Sequence, residues 1–171
     1  MLIDLTTDRR RVCRIMVRSS RILDPSSRRI VRALDRDPRA TVGGLAETLG
    51  LARGTVQSRI AQLFDGRTLR PTSTTVPPET LGYSIRAVVT AEVDQDRFEE
   101  AMVALQEIPT IIECVATSGQ NDLLCQVVAR DTDDLYAVGQ RILRCPGIRR
   151  TATSIVLKEL IAYRTIPLLE S

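Results

Sequence analysis

This sequence predicts an α+β chain of two domains, and three observations carry the prediction. Helical periodicity interrupted by a glycine fills Thr41 to Gly66. A stretch rich in Pro, Ser and Thr follows it. Beyond that stretch, strand and helix patterns come in the order βαββαβ. The expected architecture is an N-terminal winged helix–turn–helix and a C-terminal ferredoxin-like domain. The expected boundaries are 1–21, a basic extension; 22–66, the helix–turn–helix; 67–83, a wing strand and hinge; and 84–166, the ferredoxin-like domain.

Taken in order, the extension carries Arg9, Arg10, Arg11, Arg14, Arg18 and Arg21. It reads either as a basic arm on a nucleic-acid backbone or as a solvated tail or docked helix. Asp24-Pro25-Ser26-Ser27 is a helix start, with Asp24 as cap and proline at the first helical position. Ile30, Val31 and Leu34 give that helix its buried face, and Asp37-Pro38 ends it. Thr41 caps the next helix, whose stripe is Leu45, Ala46 and Leu49, and Gly50 stops it. Val56, Ile60 and Leu63 then recur on one face of a third helix. Residues 65–82 hold Gly66, Pro71, Pro77 and Pro78 around the β-prone Thr72 to Val76. Prolines bar that run from a central strand, so a wing-like turn, one edge strand and a hinge are expected.

In the second half, Ser84–Val93 alternates as a strand. Asp94 to Ile108 carries Phe98, Met102 and Leu105 at helical spacing, with Asp94 as cap and Pro109 as stop. Ile111–Ser118 and Asp122–Arg130 read as strands joined by a turn at Gly119-Gln120-Asn121. Asp131 to Cys145 is a second helix, broken by Pro146-Gly147. A last strand is centred on Thr153–Glu159. Both parities of several strands are apolar: Leu123, Cys125 and Val127 against Leu124 and Val128, and Ile111 with Val115 against Ile112 with Cys114. A sheet with a second apolar face calls for a second cover, most simply another copy of itself.

Composition narrows the function. With 171 residues and 43% apolar content, the chain has the makings of one ordinary domain or two small ones. No apolar run approaches the roughly 20 residues that span a bilayer. No secretion signal is read at the N-terminus, and a cytoplasmic protein is expected. There is no histidine, and Cys13, Cys114, Cys125 and Cys145 show no CxxC spacing. That argues against the usual zinc sites and against mechanisms needing a histidine base, so neither a cofactor nor an enzyme is expected. Asp131, Asp133 and Asp134 stand at a helix N-terminus, where acids serve the helix dipole more often than a metal. Charge is uneven. Residues 1–80 hold fifteen basic and eight acidic side chains, a net of +7, and 81–171 hold nine and thirteen, a net of −4. The basic half contains the helix–turn–helix, which suits phosphate binding.

On the third helix, Gly54, Thr55, Gln57, Ser58, Ala61 and Gln62 form a small polar face flanked by Arg53 and Arg59. Such a face fits a DNA major groove. Arg53, Thr55, Gln57 and Ser58 are the base-edge candidates, since arginine grips guanine and glutamine grips adenine. Arg39, Thr41 and Arg67 are candidate phosphate contacts, which position without specifying. Arg59 either reaches a phosphate or pins the helix to its own domain. An architectural protein that binds DNA broadly by charge is the alternative to a sequence-specific one.

Over about residues 22–166 the chain resembles the Lrp/AsnC (leucine-responsive/asparagine-regulator, feast–famine) transcription factors. The resemblance rests on Leu23-Asp24, Asp37-Pro-Arg39, Leu45-Ala46, Gly50-Leu51, the run Thr55 to Ile60 with Leu63, Leu81-Gly82, Ser118 to Asp122, and Pro146-Gly147-Ile148. It implies a RAM/ACT-like second domain, binding of double-stranded DNA by homodimers assembling into tetramers or octamers, and tuning by a small ligand, an amino acid being the family's class. It also implies an effector loop at Thr117, Ser118, Gly119, Gln120, Asn121 and Asp122. There, Thr117, Ser118, Gly119 and backbone amides would hold a carboxylate, and Asp122 an ammonium. The plain alternative is a hairpin turn with glycine and asparagine at positive φ. Ala52 stands where the family usually has a capping serine, Ser27 where it has an aspartate, and Asn121 where an aromatic is common.

Overall fold

The computed structural model describes residues 22–66 and 68–169. The basic extension, Cys13 and Arg67 lie outside the described residues.

The first helix, α1 (Pro25–Arg36), starts at Asp24, whose Oδ1 accepts the amides of Ser26 and Ser27 at 3.0 and 3.1 Å. Helix α2 (Val42–Leu49) is capped by Thr41, whose Oγ1 accepts the Gly44 amide at 3.1 Å. It ends at Gly50 with φ 63°, a conformation that costs glycine nothing. The Leu51 amide then turns back to the Ala46 carbonyl at 2.9 Å. Helix α3 (Arg53–Leu63) begins at Ala52 with no side-chain cap. Ile30, Leu45, Ala46, Val56 and Leu63 form the buried centre of the three helices, with Leu34, Leu49, Leu51 and Ile60 around it.

The strand expected over Thr72 to Val76 is a 3-10 turn, Thr72–Thr75, and a second turn, Pro78–Leu81, follows it. The reason is local. Pro71 and Pro77 each lead a turn in which a threonine three residues on bonds back twice. Thr74 gives its amide and hydroxyl to the Pro71 carbonyl at 3.0 and 2.7 Å. Thr80 does the same to Pro77 at 3.1 and 2.7 Å. Such local bonds compete with strand pairing, and proline offers no amide to a ladder.

The described residues divide into two compact units, one running up to Thr74 and resuming at Tyr163, the other Thr75–Ala162. The tail therefore groups with the helix–turn–helix. Its 3-10 turn Ile166–Leu169 packs against α1, and Arg70 stacks over the Tyr163 ring at 4.9 Å.

In the second unit, β1 (Ile85–Val93), α4 (Phe98–Gln106), β2 (Ile111–Ala116), β3 (Leu123–Ala129), α5 (Thr132–Leu143) and β4 (Ile148–Ile155) follow the expected βαββαβ order. The four strands form one antiparallel sheet in the order β2-β3-β1-β4. Val89, Ala91, Val93, Leu123, Cys125 and Val127 pack from the sheet against Ala101, Leu105, Val138 and Ile142 from the helices. Asp131 caps α5 by accepting the Asp134 amide at 2.7 Å.

Two strand expectations are corrected. A bulge in β2 between Ile111 and Glu113 shifts its register on β3. Ile111 and Cys114 therefore share the helix-covered face, and Val115 faces the other way. One added residue reverses every later side chain, because the strand period is two. The last strand also lies earlier than expected, ending at Ile155. Val156 still donates to the Arg86 carbonyl at 2.8 Å, but β1 starts at Ile85 and leaves nothing further to pair with. On the open face, Val88, Leu124 and Val128 are largely shielded, while Glu113 bonds Gln126 at 2.6 Å. Among the described residues no helix is long and apolar enough to cross a membrane.

Candidate nucleic-acid interface and ligand loop

Burial of Val56 and Leu63 turns the opposite face of α3 outward. Gly54, Thr55, Gln57, Ser58, Ala61 and Gln62 are all exposed there, so the structure brings the polar candidates together on one surface. The side chains of Thr55, Gln57, Ser58 and Gln62 make no hydrogen bond among the described residues. Arg53, at the first turn, lays its guanidinium over α2. A Cβ built on Gly43 would lie 2.7 Å from Arg53 Nη2. Gly43 therefore leaves the space in which that guanidinium rests.

For Arg59 the structure shows a contact within its own domain. Its Nη1 pairs with Asp24 Oδ2, which makes it a strut between the third helix and the start of the first. Asp24 also accepts the Ser27 hydroxyl at 2.8 Å. The Ser27 bonds, then the Arg59 charge, hold the Asp24 carboxyl below its ordinary 3.8. Ser27, the one position in this helix start that departs from the family pattern, is thus part of the same cluster and is buried.

Arg39 and Thr41 are exposed at the α1–α2 turn, beside a shallow groove of about 600 Å³. The sequence reading missed three further arginines on that groove, Arg29, Arg32 and Arg36. Their signal was present, since positions 29, 32 and 36 recur at helical spacing. Arg29 Nη2 donates to the Leu49 carbonyl at 2.7 Å, a cation at the C-terminus of α2 that complements its dipole. Arg67 lies outside the described residues.

The loop between β2 and β3 is closed by bonds at its two ends. Thr117 gives its hydroxyl to the Asn121 carbonyl at 2.6 Å and its amide to the Asp122 carbonyl at 2.9 Å. Asp122 Oδ2 accepts the Val93 amide at 2.8 Å, and Oδ1 accepts Gln95 Nε2 at 3.4 Å. The Asp122 amide donates to Ala91 at 3.0 Å. The carboxylate expected to meet an ammonium therefore ties the loop to the end of β1. Gly119 has φ 152°, but Asn121 does not take positive φ. Thr117, Ser118, Gly119 and Gln120 are exposed, and Asn121 and Asp122 are half-buried. Asp131, Asp133 and Asp134 belong to the first turn of α5 and its cap.

A model of the AsnC-type helix-turn-helix domain matches residues 23–63, and one of the Lrp/AsnC ligand binding domain matches residues 86–166. The HTH-type transcriptional regulator FL11 of Pyrococcus abyssi is 31% identical over 136 residues, covering 80% of this chain and 90% of that protein. The leucine response regulatory protein LrpA of Mycobacterium tuberculosis superposes with a TM-score of 0.71 at 28% identity, covering 85% of this chain and all of that one. A transcriptional regulator from Neisseria meningitidis, solved as a complex with L-Met, shares the fold with a TM-score of 0.71 at 24% identity, covering 82% of this chain and 93% of that one.

Proposed function

The chain belongs to the Lrp/AsnC family of transcriptional regulators, and from that premise we propose that it reads a specific DNA sequence through α3 and is tuned by a small ligand, an amino acid, bound near the 117–122 loop. The observation that carries the first part is the exposed face of Thr55, Gln57, Ser58 and Gln62, whose side chains are unengaged within the protein. Arg53, Gln57, Thr55 and Ser58 make base-edge contacts in this reading, with Gly54 allowing close approach. Arg39 and Thr41, joined by Arg29 and Arg36 along the groove, take phosphates, and Arg67 is assigned with them from its sequence position. Arg59 acts by holding α3 in place. Sequencing genomic DNA recovered with the protein, then competing the recovered site against random DNA, tests the proposal. Equal affinity for both would overturn it in favour of broad, charge-driven binding.

For the ligand, exposed Ser118, Gly119 and Gln120 offer polar groups for a carboxylate, while Asp122 serves as the loop's anchor. The family's ligand binding domain and the L-Met complex of the Neisseria protein make amino acids the first class to test. Calorimetry against the amino acids should give heat with at least one, and silence with all would leave a plain turn. We also propose assembly of homodimers into tetramers or octamers. Leu157, Leu160 and Ile161 are 94%, 84% and 70% exposed, which supports an apolar surface covered by another copy. Light scattering on the eluting protein tests this directly.

A further inference from the structure

Cys114 and Cys125 face each other across β2 and β3, with their sulfur atoms 3.3 Å apart. Their place in the ladder favours a bond between them. The Thr117 amide donates to the Asp122 carbonyl, so 117 and 122 are a hydrogen-bonded pair. Antiparallel pairs alternate, which makes 116/123 non-bonded, 115/124 bonded and 114/125 non-bonded. Non-bonded pairs bring Cα atoms to about 4.5 Å, the short end of the disulfide range. The β2 bulge is what sets this register; without it Cys114 would point to the opposite face.

The two thiols also differ in access. Cys125 is wholly buried under the helices, while Cys114 is exposed on an edge strand. We propose that this pair is a redox modification site, at which a peroxide oxidises Cys114 and Cys125 resolves it to an intramolecular cross-strand disulfide. The Cys114 thiolate attacks one oxygen of hydrogen peroxide and the O–O bond breaks. The departing hydroxide takes up the thiol proton and leaves as water, and Cys114 becomes a sulfenic acid. The Cys125 sulfur, giving up its proton, then attacks the Cys114 sulfur. The S–O bond breaks, and a second water leaves. Two thiols are oxidised to one disulfide, and one peroxide is reduced to two waters.

The chemistry of the pair fits these roles. The Cys125 S–H donates to Cys114 Sγ and holds the exposed thiol below its ordinary 9.0, favouring the nucleophilic thiolate there. The same contact, then burial, pushes Cys125 up, which keeps it a thiol until Cys114 is oxidised. Cys145 is buried and spends its S–H on the Arg141 carbonyl at 3.4 Å. A disulfide here closes a ring around residues 115–124, so it pins the 117–122 loop whether or not that loop takes a ligand.

The test uses the full-length reduced protein, treated with hydrogen peroxide, alkylated and mapped by non-reducing peptide mass spectrometry. The expected product is one intramolecular Cys114–Cys125 link that dithiothreitol reverses. In Cys125→Ser the link is lost and Cys114 is trapped by dimedone as sulfenic acid. In Cys114→Ser the Cys125 thiol stays free. A Cys114 disulfide between two chains, a link to Cys13 or Cys145, or both thiols remaining free in the wild-type protein would overturn the proposal. The wild-type arm decides it even if a variant fails to fold.

Discussion

Along α3, Thr55, Gln57, Ser58 and Gln62 hold out side chains that bond nothing among the described residues, whereas the two ends of the 117–122 loop, Thr117 and Asp122, spend their side chains on the loop itself and on the β1 end. Both stretches are polar and exposed, yet they are built for different tasks. The Thr55, Gln57, Ser58 and Gln62 side chains have no hydrogen bond to the described residues, so engaging base edges breaks none of these. Binding at Thr117 or Asp122 would first have to break internal hydrogen bonds. The difference teaches that a polar signature in sequence marks a binding surface most directly where the fold leaves its groups unspent. It also shifts the ligand reading from Asp122 toward Ser118, Gly119 and Gln120.

Four experiments break or sharpen this contrast. The largest effect is expected on α3. Arg53→Ala and Gln57→Ala should each weaken discrimination between the recovered site and random DNA by about 1–3 kcal/mol, with circular dichroism unchanged. Undiminished discrimination in a competition assay would remove α3 as the reading surface. Next, Asp122→Ala leaves the buried end of β1 with an unpaired Val93 amide. It should cost the sheet unit about 1–3 kcal/mol of stability by denaturant unfolding; no loss would mean the loop is not self-held.

A smaller gain is expected from Ala52→Ser, which gives α3 the side-chain cap it lacks. The helix–turn–helix should become more stable by about 1 kcal/mol, with hydrogen exchange slowing in α3 and not in the sheet. The smallest effect concerns acid. Asp24 in one unit and Asp94 in the other both lie below the ordinary 3.8, Asp24 through its Ser27 bonds and Asp94 through Arg149 at 2.9 Å. A carboxyl whose folded value is depressed lends stability that is complete above the unfolded value and is lost as pH falls through the folded one. Melting temperature should therefore begin to fall as pH drops below 3.8. The fall should be shallow, because both carboxyls are only half-buried and remain screened by solvent. Asp24→Asn and Asp94→Asn should each flatten it for one unit alone.

Much of the fold was legible because its signals are local. Asp24, Thr41 and Asp131 cap the helices that their positions imply, Asp94 caps the 3-10 turn Gln95–Arg97 that leads into α4 rather than α4 itself, and Gly50 ends α2 in the left-handed conformation. The βαββαβ order followed from periodicity in the same way. The expected strand at 72–76 failed on local grounds too. Threonine is β-prone, but placed three residues after proline it closes a turn instead. On the candidate interface, the face of α3 was readable from helical spacing, and the arginines of α1 were readable by the same rule but were overlooked.

By itself the sequence determined which segments are helix or strand, where most of them start and stop, and which side chains share a helical face. Those properties rest on interactions within a few residues of chain. Only the tertiary structure decided how distant residues are spent. Arg59 is held by Asp24, 35 residues away, and Asp122 by Val93, 29 residues away. Likewise, one bulge in β2 put Cys114 opposite Cys125. No local pattern carries such information, because strand register and helix packing choose the partner, and a shift of one residue changes every partner at once.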